Sequence, residues 1–515
     1  MNLKLCITLF FAISLTYGQD TPVDYNFGEK YPDRYKYSNL VTISDDGYGG
    51  SILVRSYFTG MILKPKGYFI EHYDSDLKLV EEYNLKLKGP EFINGYVANG
   101  QLYMLFLDYN EVSASYDYLA YRSPISDFNF TVDKILSIAS LQVDDPYDHN
   151  YYNRDFNRGF TTTALFDESN SGFVISTHFK KGKTNKHFIY AFNSSLKKIF
   201  EKDFSDAIEN KNYAFESMAF SSDLTKTFII AKAYFTKKRF KAEERKFQYE
   251  LIKVDSKGYK TKVFDVDNKY SEALKPVLYE TDLYCVGFYA NRKDNRYNGV
   301  SFFKMNPNTL DISIFKYNPF SDQFMNDKFG KENAEQVKNL VFKNVSFTED
   351  KSILFNAEEY FVTTSIQANS SGGRLRVERF HYNDIVSVKL NSSGEMLWAR
   401  NINKSEVTQG DGAYASYSSL SKNNDTFFFI STASENPQLL NNERLVFKQG
   451  LSRNRNVFVI QLNEEGKMSY KKIIDDKEAR LPLMVSKPLL NYKENNLIFY
   501  AKRGSKKQLV NVSLN

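Results

Sequence analysis

Residues 386–399 read Val386-Ser387-Val388-Lys389-Leu390-Asn391-Ser392-Ser393-Gly394-Glu395-Met396-Leu397-Trp398-Ala399. Val386, Val388 and Leu390 fall on one face of an extended chain, while Ser387 and Lys389 fall on the other. Asn391 then opens a tight turn, because an Asn side chain accepts hydrogen bonds from the backbone just ahead of it. Gly394 tolerates the positive φ needed near the end of such a turn. Met396 to Ala399 is the return strand. The stretch is therefore a β-hairpin, and what decides the fold is that it recurs.

The same order appears at Phe458, Ile460 and Leu462 before Asn463-Glu464-Glu465-Gly466, and again before Asp255-Ser256-Lys257-Gly258. Looser copies of the turn are Asp74-Ser75-Asp76-Leu77 and Asn193-Ser194-Ser195-Leu196. Upstream of each hairpin lies a short, nearly continuous apolar run. Eight of these are present: Ile52 to Val54, Tyr103 to Phe106, Phe173 to Ile175, Phe228 to Ile230, Leu283 to Val286, Ile353 to Phe355, Phe427 to Phe429 and Leu497 to Phe499. Such runs suit strands covered on both faces. Polar turns precede most of them, for example Ser221-Ser222-Asp223 and Thr348-Glu349-Asp350. The markers recur at intervals of roughly 50 to 75 residues, which accommodates one four-stranded unit with its loops.

The reading is all-β: a single β-propeller of about eight blades, or seven if one weak unit is an insertion, each of mostly four antiparallel strands. The polar turns before apolar strands resemble the β-propeller repeats of the TolB and WD40-like type. Gly287 to Met305 and Ile353 to Trp398 are similar to uncharacterised exported proteins of Gram-negative bacteria. The resemblance implies a propeller and carries no active residues with it. The repeats depart from it in lacking a Trp-Asp dipeptide at strand ends and in their uneven lengths.

After Leu497 only one further strand remains, Gln508 to Leu514, so the last unit is a strand short. The segment from Thr21 to Tyr35 precedes the first unit and belongs to none. We expect it, or the strand just after it, to pair with the C-terminal blade and close the ring, which removes two open sheet edges. One helix is expected, over Asp327 to Phe342, on the composition of Glu332, Ala334, Glu335 and Val337.

Lys4, the apolar Leu5 to Leu15 and the small residues near Gly18 form a secretory signal pattern. Residues 1–18 are expected to be a signal peptide and 19–515 the propeller domain, exported to the periplasm or beyond the cell. The apolar stretch is too short to span a bilayer, and no membrane insertion is expected. Cys6 leaves with the signal, so Cys285 has no disulfide partner. It sits in an apolar run and reads as a buried thiol.

The chain has 515 residues and a formal net charge of +6, a small and dispersed excess that offers no stripe for a phosphate backbone, so no nucleic acid is expected. Its 37 Tyr and 43 Phe beside a single Trp fit strands. Enzyme motifs such as His-Glu-x-x-His, Gly-x-Ser-x-Gly or a phosphate loop do not occur. No two of the five histidines have metal-ligand spacing in sequence, although His178 and His187 can meet across a hairpin.

Three polar segments remain as candidates. Asp144 to Gly159 is the richest, and Asp148, Asn153, Asp155 and Asn157 are its candidate oxygen donors for a hard cation such as calcium, against the plainer reading of a loop stiffened by Asx turns. Asn291 to Gly299 and Lys237 to Lys246 read as charged hairpin loops. No other cofactor is expected. The functional expectation is a binding or scaffold module for a protein or glycan. The alternative is a carbohydrate-active or other hydrolytic enzyme with its site at the central channel, which requires two convergent carboxylates, at least one held protonated.

Overall fold

A computed structural model describes residues 23–59, 64–143, 160–167, 170–182, 184–208, 212–234, 247–264, 269–291, 296–331, 337–368, 373–451 and 455–515. Their strands form eight sheets built mainly from consecutive antiparallel neighbours. Blade 1 comprises Ser38–Asp45, Ser51–Thr59, Lys64–Tyr73 and Leu79–Leu85. Blades 2 to 5 run from Glu91–Ala98 to Thr131–Ala139, from Phe160–Phe166 to Lys198–Asp203, from Asn212–Phe220 to Gly258–Val263, and from Tyr270–Tyr279 to Ile312–Pro319. Blade 6 runs from Leu340–Phe347 to Met396–Thr408, and blade 7 from Ser418–Lys422 to Met468–Ile474. Blade 8 joins Leu489–Asn491, Asn496–Arg503 and Lys506–Leu514 to the N-terminal strand Val23–Phe27. This arrangement is a β-propeller.

The apolar markers all fall in the second strand of their blade, not the first. The first strands carry no such marker, because they lie innermost and are covered less evenly. First strands of neighbouring blades approach one another around the axis. In five blades the register of the first strand slips, between Leu40 and Thr42, Phe92 and Asn94, Phe215 and Ser217, Glu272 and Lys275, and Phe342 and Asn344. Bulges of this kind break strict alternation and add twist.

The second strands are continuous in hydrophobicity because each faces two neighbours. Ile52 and Val54 pack with Met104 and Phe106 of blade 2, whereas Leu53 packs with Ile498 and Tyr500 of blade 8. Leu497 and Phe499 face blade 7 through Phe427 and Phe429. Each such side chain, fully buried, contributes about 1.5–3 kcal/mol.

The two ends of the chain meet in one sheet. Val23–Phe27 pairs antiparallel with the last strand, from Val23 opposite Leu514 to Phe27 opposite Val510, and Tyr31 and Pro32 pair with Lys507 and Lys506. The last blade lacked a strand in the sequence reading, and the N-terminal strand supplies it.

The helix is corrected. It spans Asp322–Phe329, overlapping the expected Asp327 to Phe342 by three residues. Ser321 Oγ caps it by accepting from the Phe324 N–H, and Gly330 ends it at φ +63° with its N–H on Asn326 O. Leu340 onward is strand, paired along the second strand of blade 6. Glu332, Ala334 and Glu335 lie outside the described residues.

Alternating strand direction gives the two faces different characters. Turns between strands 1 and 2, and between strands 3 and 4, share one face, and most are short Asx turns. Connections between strands 2 and 3, and between blades, share the other face and include long ones, such as Thr432 to Asn456 in blade 7 and Pro319 to Leu340 between blades 5 and 6.

A polar cavity at the rim between blades 6 and 7

This second face builds a polar site at blade 6. The connection from blade 5 carries the helix Asp322–Phe329 across it. An insertion in blade 7 carries Gln438–Leu439 and Leu445–Lys448, and the latter adds in parallel to the outermost strand of blade 6, with Asn403 opposite Val446. Helix, strand and insertion enclose a cavity of about 410 Å³. Gln323, Asn326 and Asp327 come from the helix, Asn401 and Asn403 from the strand, and Glu443 from the insertion, with Leu445 and Met468 as apolar walls.

A hydrogen-bond network fixes the walls. Asp327 accepts from Arg400 Nε at 2.6 Å and Nη2 at 3.2 Å, and from Gln323 Nε2 at 2.8 Å. Asn403 Nδ2 donates to Asp327 O at 2.6 Å and Leu445 O at 3.1 Å, while its Oδ1 accepts from Arg444 Nη2 at 3.1 Å. Asn401 Nδ2 donates to Asp384 Oδ2 at 3.2 Å and Asn403 Oδ1 at 3.0 Å. Asn401 is 1% exposed, and its Oδ1 has no hydrogen-bond partner among the described residues. Beneath the helix, buried Lys328 reaches Glu359 at 2.8 Å and Asp384 at 2.7 Å. Burial alone would lower the Lys328 pKa, but the two carboxylates outweigh it and hold the ammonium charged. Lys331 and Glu443 pair across the exposed rim.

Asp148, Asn153, Asp155 and Asn157, with the rest of Asp144 to Gly159, lie outside the described residues, as do Lys237 to Lys246 and residues 292–295. Asn291 and Asn298, flanking the latter, bond to each other, N–H to Oδ1, at 2.8 Å. His178 and His187 do meet: they are directly opposed across the hairpin with stacked rings 4.1 Å apart. Burial, helped by the neighbouring His178, pushes the His187 pKa down to about 2, so it stays neutral. His178 lines a small cavity of about 150 Å³ between blades 3 and 4, with Ser217 and Glu216 of the slipped first strand on its wall. Cys285 is buried and free, and burial pushes its thiol pKa up, away from thiolate.

Buried charge concentrates in two other places. At the seam of blades 8 and 1, Arg55 reaches Asp33 at 3.0 Å and Glu71 at 2.8 Å, Lys502 reaches Asp33 at 2.5 Å, and Lys507 contacts Glu71 and Glu82. Beside blade 6, Glu358 meets Lys404 at 3.1 Å and Lys343 at 3.1 Å, and Glu406 meets Arg455 at 2.9 Å. Burial pushes the Glu406 carboxyl above its ordinary range despite Arg455 and Lys404. Glu406 is fully buried on the outermost strand of blade 6, a position unlike the channel mouth that the hydrolytic alternative requires.

The amides of the cavity were not singled out in the sequence. Asn401-Ile402-Asn403 carries a signal, two amides on one strand face, but its partners come from segments some 70 residues before and 40 after.

The strand ladders thus define an eight-sheet propeller. No protein-family model and no curated protein sequence matches the chain. Among solved structures it is similar to the β-propeller domain of the Trilobed protease from Pyrococcus furiosus, at 10% identity over 86% of this chain and 98% of that one, with a TM-score of 0.36. It is also similar to the polysaccharide lyase Uly1, at 8% identity over 95% and 100% with a TM-score of 0.34. Likeness at this level carries no argument about activity.

Proposed function

We propose that the chain is an exported β-propeller that acts as a binding or scaffold module, with the cavity between blades 6 and 7 as its ligand site. The observation that carries this reading is the cavity's construction. Three separate segments converge on it, and a hydrogen-bond network orients their polar groups before any ligand arrives. Preorganisation of this kind favours affinity, because the ordering cost is already met by folding. The volume of about 410 Å³ falls in the range of small-ligand pockets, about 300–1,000 Å³. The wall carboxylate Asp327 is engaged by Arg400, which suits holding a ligand more than transferring a proton. Export rests on the N-terminal signal pattern. No helix among the described residues is long and apolar enough to cross a membrane.

The test is recovery of ligand after incubation with glycan and peptide panels. Retention with unchanged ligand mass supports a binding module. Steady release of cleavage products would replace it with the hydrolytic reading.

A further inference from the structure

We infer that the cavity between blades 6 and 7 takes a neutral, polyhydroxylated ligand, the end of a short glycan. The inference rests on the binding reading and names its ligand class. The first argument is charge. Lys328, Lys331, Arg400 and Arg444 are matched by Asp327, Glu359, Asp384 and Glu443 around the cavity. With the signs balanced and most of the groups paired, little field remains to recruit a phosphate, a carboxylate or a metal ion.

The second argument is the type of polar group left. Asn403 is fully engaged by the network and so are both N–H groups of Asn401, which leaves Gln323 and Asn326, amides that can both donate and accept. Hydroxyls have the same dual character, so a pair of amides matches a polyol in a way it does not match a purely accepting anion. Gln323 and Asn326 are exposed, three residues apart on the helix, and therefore neighbours on its surface. The Asn326 side chain makes no hydrogen bond among the described residues.

The third argument is Asn401. Its Nδ2 already faces two acceptors, Asp384 Oδ2 and Asn403 Oδ1, so a flip would set oxygen against oxygen. The network therefore fixes Oδ1 as an acceptor, and it is buried without a donor. Leaving such a group unpaired costs about 1–3 kcal/mol. Asn401 lines the cavity, so a small outward shift of this wall would let a ligand hydroxyl reach the buried oxygen and relieve that cost, and a site that bonds a hydroxyl discriminates strongly for it. Leu445 and Met468 give the C–H side of a sugar ring an apolar surface.

The experiment titrates the full chain calorimetrically with neutral gluco-, manno-, galacto- and xylo-oligosaccharides of two to four units. An oligogalacturonate and a neutral tetrapeptide are titrated in parallel. A neutral oligosaccharide is expected to bind, with little change in affinity between low and high salt. The double variant Gln323→Ala/Asn326→Ala, both positions exposed, is expected to lose at least tenfold in affinity with an unchanged melting temperature. Binding confined to the oligogalacturonate, no binding of any neutral sugar, or full affinity in the double variant overturns the inference. Peptide binding that the double variant abolishes leaves the module reading intact and removes the glycan. Cleavage of a sugar whose binding the double variant weakens keeps the ligand class and removes the module reading.

Discussion

Gly394 shows what one residue of the recurring turn does. It sits at φ +82°, and any Cβ there would collide with the ring of Phe302 in blade 5. Asn318 of blade 5 also donates to Gly394 O at 2.9 Å. Gly466 repeats the arrangement against Trp398 of blade 6, whose indole N–H donates to Glu464 O at 2.9 Å. The glycine is thus needed twice, for backbone conformation and for close approach of the preceding blade. Gly394→Ala should cost about 1–3 kcal/mol, read as a lower urea midpoint with an unchanged slope. The turns were legible because Asn, Asp and Gly mark them. In the looser copies Leu77 and Leu196 take the positive φ themselves, at +62° and +65°, so the turn survives without its glycine. His187 is the other residue with a measurable signature. Its folded pKa lies near 2, below the unfolded value of about 6.5. The unfolded chain therefore binds the proton first, and this group's contribution is full above about pH 6.5 and lost as pH falls below it. His187→Phe, set among Phe204 and Phe215, should flatten the decline of the urea midpoint between pH 7 and 5. An unchanged decline would place the titration elsewhere.

At the scale of elements, strands were readable and their phase was not. Continuous hydrophobicity marks the second strand of each blade because both its faces are covered, whereas the innermost strand has bulges and mixed polarity. Counting from the visible markers therefore begins every blade one strand late. The helix was misplaced because its boundaries come from Ser321 and Gly330, and the expected range ran on into Leu340–Phe347, which is strand. The cap predicts a modest effect: Ser321→Ala should cost about 0.5–2 kcal/mol, toward the low end because the capping bond is long at 3.3 Å. Urea unfolding reads it. Because Gln323 and Asn326 ride on this helix, ligand affinity should fall in the same variant.

At the scale of the molecule, the seam between blades 8 and 1 is held by charge as well as by apolar contact. Burial alone would raise the Asp33 pKa, but Arg55 and Lys502 outweigh it and hold the carboxyl below its usual range. A depressed folded pKa contributes stability above the unfolded value of about 3.9, lost as pH falls through the lower folded value. Acid should therefore weaken the protein below about pH 4. Asp33→Asn, which leaves Arg55 and Lys502 with one carboxylate fewer, should cost about 3–5 kcal/mol at neutral pH and remove part of that acid dependence. The blade count and the missing eighth-blade strand were legible from repeats, but this charge network was not, since Asp33 and Lys502 are joined only when the chain's ends meet. Amide hydrogen exchange at Val23–Phe27 tests that meeting directly. The inward-paired amides of this strand should be as protected as those of Lys506–Leu514 and should be released with them in one unfolding event. Fast exchange at Val23–Phe27 beside a protected C-terminal strand would contradict the propeller as described.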